Sequence, residues 1–107
     1  EGIVDIKIDG NSIEAISNFG VGEAVYAGVR PEEITLARTK ESTSARNTFY
    51  GEITRIVLFG PLARIELNCG FPLVALITKR SAEEMNLQTG NRIYASFKAT
   101  GIHVIKG

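Results

Sequence analysis

The chain has 107 residues, and among them one cysteine, one histidine, one methionine and no tryptophan. A single Cys69 excludes an internal disulfide framework and a multi-cysteine metal site; it reads as a small buried hydrophobe. A single His103 excludes a histidine-rich metal cluster. It alternates with Ile102 and Val104 on a strand, so it is expected to face solvent or a neighbour rather than act as a base. Aromatic residues make up only 7%, a thin supply for stacking single-stranded nucleic acid. Twelve basic side chains balance twelve acidic ones. The basic excess that nucleic-acid or anionic-membrane binding wants is therefore missing. No apolar run approaches the roughly 20 residues of a membrane span. The first residues carry no signal-peptide pattern, so the cytosol is the expected compartment. Neither a Gly-x-x-x-x-Gly-Lys-Ser/Thr loop nor a Gly-x-Gly-x-x-Gly turn occurs. An enzyme is not expected.

What remains is ordinary globular protein. A hydrophobic fraction of 44% with 22% charged residues suits one compact domain or two very small ones. The charge is uneven. Residues 1–43 hold four basic and eight acidic side chains, a net −4, and residues 44–107 hold eight and four, a net +4. Chance in an acidic first segment accounts for this, and so does an anionic ligand held by the second.

The dominant period is two. Val4 to Ile8 alternates apolar and polar, Asp9-Gly10-Asn11 supplies a turn, and Ile13 to Ile16 pairs back as a hairpin. Strands are expected over Val25–Val29, Ile34–Leu36, Phe49–Leu58, Leu62–Leu67, Phe71–Thr78, Ile93–Phe97 and Ile102–Ile105. Pro31 separates the first two of these. Residues 37–43 have linker composition. One short helix is expected near residues 82–88. Ser81 with Glu84 fits a capping box, and Gly90 fits a stop.

The sequence also repeats itself. Gly22 to Arg30 aligns with Gly90 to Lys98, 68 residues further on, and the match continues at Ile34 with Ile102 and Leu36 with Val104. Two related strand–turn–strand halves follow. Short strands, glycine turns and one small helix indicate an all-β, OB-like small barrel. Tyr26, Tyr94 and Phe97 read either as core residues or as an outward stacking platform.

Three elements combine small hydroxyls, backbone amides and cations: Ser44-Ala45-Arg46-Asn47, Thr78-Lys79-Arg80-Ser81 and Lys98-Ala99-Thr100-Gly101. Helix starts offer unpaired N–H groups. Hydroxyls add donors, and Lys and Arg add charge-assisted hydrogen bonds. These are the parts of a tetrahedral oxyanion site. Read singly, Ser44 and Asn47 are turn residues, Ser81 a cap and Lys98 a surface cation.

These segments, with Gly51-Glu52-Ile53, resemble the molybdate-binding molbindin (Mop) module over residues 44–107. Residues 21–36, with Val25-Tyr26-Ala27-Gly28-Val29-Arg30-Pro31-Glu32-Glu33-Ile34, look like the segment that follows the nucleotide-binding domain in ABC-transporter ATPases. The whole resembles the C-terminal TOBE-type extension of a molybdate or tungstate importer ATPase, without the ATPase itself. The resemblance implies an oxyanion-binding, OB-like fold of TOBE/Mop type that forms a homodimer or higher oligomer. Residues 1–43 would complete the barrel, and residues 44–107 would be the oxyanion-binding half. Ser44, the Ala45 backbone and Arg46 would form one side of the site. Thr78 and Ser81 would supply hydroxyls, and Lys98, Ala99 and Thr100 would complete it from a neighbouring chain. The first half has Arg30-Pro31 where the second has Lys98-Ala99, and it lacks the Ser-Ala-Arg-Asn element. No second site built wholly from the first half is therefore implied. The ligand would be molybdate or tungstate, with no other cofactor. The partners would be the ATPase and membrane subunits at the inner face of the membrane, with no direct membrane insertion and no nucleic acid. The function would be oxyanion-dependent inhibition of import. A structural dimerisation module without ligand is the alternative, and a single-strand nucleic-acid binder a third.

Overall fold

The computed structural model describes residues 2–8, 11–17, 25–40 and 47–106. Among these residues nine strands follow in order: β1 (Gly2–Ile8), β2 (Asn11–Ser17), β3 (Val25–Val29), β4 (Thr35–Ala37), β5 (Asn47–Phe59), β6 (Leu62–Asn68), β7 (Pro72–Thr78), β8 (Arg92–Phe97) and β9 (Ile102–Lys106). One helix, α1 (Lys79–Glu84), follows β7, and two 3-10 turns cover Pro31–Glu33 and Ala99–Gly101.

Period-two alternation builds the main sheet, ordered β4-β8-β5-β6-β7. Ala63, Ile65 and Leu67 of β6 point inward, as do Leu73 and Ala75 of β7 and Ile93, Ala95 and Phe97 of β8. Ile53, Ile65, Ile93 and Phe97 fill the centre. Phe49 meets Phe71 edge-on at 5.0 Å and stacks on Phe97 at 6.0 Å. Strand β5 is the spine. Its first half pairs with β8, from Asn47↔Phe97 to Glu52↔Arg92. Its second half pairs with β6 down to Phe59↔Leu62, with a bulge between Ile53 and Arg55. A bulge bends and twists its strand, which lets one strand serve two neighbours. Gly51 sits where a Cβ would collide with the Cys69 thiol and come within 3.0 Å of the Asn68 carbonyl oxygen.

The expected strands are present, and β1 and β2 form the expected hairpin, from Gly2↔Ser17 to Ile8↔Asn11. The helix is displaced. It begins at Lys79 and ends at Glu84, not near 82–88. Its N-cap is Thr78, whose Oγ1 accepts the Ser81 N–H at 3.0 Å. Ser81 therefore lies inside the first turn, and the Ser81–Glu84 capping box does not form. Asn86, at φ 52°, takes the left-handed position after Met85. That makes it the stop assigned above to Gly90. Gly90, at φ 93°, instead turns the chain back, its N–H bonded to the Ile53 carbonyl at 2.8 Å.

The repeat is structural as well as sequential. β3, a 3-10 turn and β4 correspond to β8, a 3-10 turn and β9. The residues that open the two turns, Arg30 (φ −68°, ψ 132°) and Lys98 (φ −82°, ψ 148°), share a backbone conformation. So do the residues that close them, Ile34 (φ −89°, ψ 125°) and Ile102 (φ −88°, ψ 126°). Each unit pairs with the other rather than with itself. Thr35↔Ser96, Leu36↔Ala95 and Ala37↔Tyr94 join β4 to β8. Their counterparts His103↔Gly28, Val104↔Ala27 and Ile105↔Tyr26 join β9 to β3. The first 3-10 turn packs on β7 and the second on β2. An internal pseudo-two-fold thus relates β1-β2-β3-β4 to β6-β7-β8-β9.

Candidate functional site

Strand β5 separates the expected site residues into two groups. Beside its start, Lys98 is exposed and opens the second 3-10 turn. Ala99 is buried, Thr100 is exposed, and the first N–H groups of the turn have no partner within it. Asn47, the first residue of β5, pairs with Phe97, the residue before Lys98. Ser44, Ala45 and Arg46 lie outside the described residues.

Beside the far end of β5, Thr78 pairs with Leu62, and the Lys79 N–H bonds the Pro61 carbonyl at 2.8 Å. The Thr78 hydroxyl accepts from the Ser81 N–H and donates to the Ser81 Oγ at 2.9 Å. Ser81 keeps its own hydroxyl hydrogen to donate outward. The two groups stand at opposite ends of a strand of 13 residues. Such a strand spans about 40 Å when straight; the bulge between Ile53 and Arg55 shortens that span but leaves the two groups at its two ends. One chain therefore does not bring Thr78 and Ser81 together with Lys98, Ala99 and Thr100.

Charge pairing marks the same places. Arg55 and Arg64 lie 3.6 and 3.7 Å from Glu66, Arg80 lies 3.3 Å from Glu84, and Arg92 lies 3.9 Å from Glu52. Arg30, Lys79 and Lys98 form no ion pair among the described residues. Arg38 is committed to backbone, donating to the carbonyls of Met85 at 2.7 Å and Asn86 at 2.8 Å.

Cys69 and His103 form no nucleophile–base arrangement. Burial of Cys69 pushes its thiol up to about 11, while His103 is exposed on β9 opposite Gly28. No group of three His, Cys, Asp or Glu among the described residues could hold a metal ion. No helix among them is long and apolar enough to cross a membrane. Of the three aromatics weighed as a platform, Phe97 is core and Tyr94 packs on Tyr50 at 4.7 Å. The Tyr26 side chain is outside the described residues.

Sequence reasoning undervalued Asn47. The residue is 3% exposed, and its carboxamide accepts the Glu14 N–H at 2.7 Å and donates to the Glu14 carbonyl at 2.8 Å. A polar residue opening an apolar strand was the available signal. The apolar tip at Leu58 and Phe59, both about half exposed, was also unanticipated.

The TOBE domain family profile matches residues 43–104. The chain belongs to the TOBE domain family. This TOBE domain is 38% identical over 98 residues to the molybdate/tungstate import ATP-binding protein WtpC of Pyrococcus abyssi. The match takes in 91% of this chain and 28% of that protein, so the chain spans about a quarter of its length. The solved structure of the cytoplasmic molybdate-binding protein ModG superposes with a TM-score of 0.83 at 22% identity, over 92% of this chain and 78% of that one. At that identity the likeness establishes the fold, an OB-like TOBE barrel. The molybdate-binding protein of Sporomusa ovata matches at 33% identity and a TM-score of 0.58, over 62% of this chain and all of that one.

Proposed function

We propose that this TOBE domain binds molybdate or tungstate and that two copies build each site. Lys98 with the Ala99 and Thr100 backbone, joined by Ser44, Ala45 and Arg46, would come from one copy. Thr78 and Ser81 would come from its partner. The observation that carries this reading is the 33% identity to a molybdate-binding protein across that protein's whole length. The separation of the two donor groups along β5 supports a site shared between copies. Residues 44–107 act as the oxyanion-binding half, and residues 1–43 complete the barrel.

The chemistry follows from the donors. A tetrahedral dianion accepts from the unpaired Lys98 ammonium, from the 3-10 turn N–H groups and from the Ser81 hydroxyl. Size separates molybdate and tungstate from the smaller sulfate. Because the anion bridges two chains, it stabilises the arrangement in which both donor groups face it. In a cytoplasmic importer ATPase at the inner membrane face, that arrangement holds the ATPase pair against further import. The domain itself binds rather than catalyses.

A thermal melt with molybdate, tungstate and sulfate in turn tests this. Saturation at about 100 times Kd adds about 2.7 kcal/mol, on the order of 10 °C for a domain of this size. A rise with molybdate and tungstate but not sulfate is expected. No rise with any of them would leave a structural dimerisation module, the reading that the exposed Leu58 and Phe59 favour.

A further inference from the structure

The two 3-10 turns are counterparts, and their residues have diverged in one direction. Arg30 stands where the second turn has Lys98, Pro31 where it has Ala99, Glu32 where it has Thr100 and Glu33 where it has Gly101. Proline carries no N–H, so the first turn lacks the donor that Ala99 keeps. The carboxylate of Glu32 accepts where the Thr100 hydroxyl can donate. The first turn therefore has a cation but repels a dianion, and the second has a cation with donors beside it. One carboxylate of the first turn reaches across to the second. An oxygen of Glu33 lies 3.1 Å from where a Cβ on Gly101 would stand, and the carboxyl carbon 3.8 Å. Neither Arg30 nor Lys98 pairs with it, and among the described residues it has no other ion-pair partner. Glu33 thus sets an exposed, unneutralised negative charge beside the turn that Lys98 opens.

We propose that Glu33 is a specificity-determining residue of the oxyanion site, weakening each anion in proportion to its charge. This rests on the reading that Lys98, Ala99 and Thr100 hold the anion. A 3-10 turn rises about 2.0 Å per residue, so Lys98 to Gly101 spans about 6 Å and an anion held at the start of the turn lies about 10 Å from the Glu33 carboxylate. At that distance in water one negative charge weakens a dianion about fourfold and a monoanion about twofold. Glu33 offsets part of the pull of Lys98. Retention then depends more on the hydroxyl and N–H donors, which read the shape of the anion as well as its charge. The first half of the chain accordingly does more than complete the barrel: it sets how readily the second half gives its anion up.

The test is calorimetry of molybdate and tungstate binding to the 107-residue chain, to Glu33→Gln and to Glu33→Lys, in 10 mM and in 1 M potassium chloride. The screening length is about 30 Å in the first and about 3 Å in the second. At 10 mM, Glu33→Gln is expected to tighten both anions about threefold and Glu33→Lys about sevenfold. At 1 M the three proteins are expected to bind alike. Equal affinities at 10 mM overturn the proposal while leaving the oxyanion site standing. A gain that persists undiminished at 1 M also overturns it, because a change in the shape of the turn and not a charge would then be responsible. If the unsubstituted chain binds neither anion, the oxyanion reading fails and this proposal fails with it.

Discussion

Glu33 and Gly101 hold the same position in the two halves, and they lie against each other: a Cβ on Gly101 would stand 3.1 Å from a carboxylate oxygen of Glu33. Their N–H groups make the same bond, to the Arg30 and Lys98 carbonyls, each at 2.9 Å. The glycine serves space, since the Glu33 carboxylate lies where its side chain would be. Gly101→Glu should therefore set two carboxylates together. Each raises the other's folded pKa, so the repulsive cost grows as pH rises through the carboxylate range and fades below it. A destabilisation of about 1–2 kcal/mol at pH 7, largely relieved near pH 3.5, is expected in urea melts. An equal penalty at both values would count against the contact.

Asn47 ties β5 to β2 through both backbone groups of Glu14. Asn47→Ala removes one donor and one acceptor from a buried position. A loss of about 2–4 kcal/mol is expected. Asn47→Asp keeps the acceptor but turns a second oxygen on the Glu14 carbonyl. It should be destabilising at pH 7 and milder in acid, where a protonated carboxyl can donate. Denaturant melts across pH 4 to 7 would check this.

The buried Cys69 thiol predicts alkaline sensitivity. Its folded pKa is raised from 9.0 to about 11. Between those values the unfolded chain releases a proton that the folded chain keeps, so stability present below pH 9 is lost as pH rises towards 11. Cys69→Ala should show a shallower decline across that window. The native thiol should also react slowly with iodoacetamide at pH 8, and the unfolded chain quickly. Fast labelling of the folded chain would contradict its burial.

A site shared between copies predicts complementation. Ser81→Ala and Lys98→Ala should each weaken molybdate binding at least tenfold in homodimers. In mixed dimers one of the two sites carries both substitutions and the other carries neither. Calorimetry on the mixture should then recover tight binding at reduced stoichiometry. Mixtures as weak as either variant alone would show that the two groups do not share a site.

Much of the fold was legible because period-two alternation survives in β6, β7 and β8, where one face is core. The helix start was misread for a definite reason. Thr78 and Ser81 are both competent caps three residues apart, and Lys79 bonding the Pro61 carbonyl decides for Thr78. The Asn47–Glu14 clasp spans 33 residues and leaves no local pattern. The repeat was visible in Gly22 to Arg30 against Gly90 to Lys98, but its exchange of partners was not, since both units would look alike if self-paired. Thr78, Ser81 and Lys98 could be named from their motifs. Their separation could not, because it depends on how far β5 runs past its bulge.

The exchanged pairing also sets the order of events in synthesis. Val25 pairs with Lys106 and Val29 with Ile102. Strand β3 leaves the ribosome long before either partner exists, and β4 waits likewise for β8. Strands β3 and β4 wait for these partners until nearly all of these residues have emerged. Such long-range closure is slow, and it leaves the apolar β3 segment open to wrong pairings in the meantime. The three-stranded meander β5–β6–β7 needs no such wait, so it is the natural platform on which the first half is captured late.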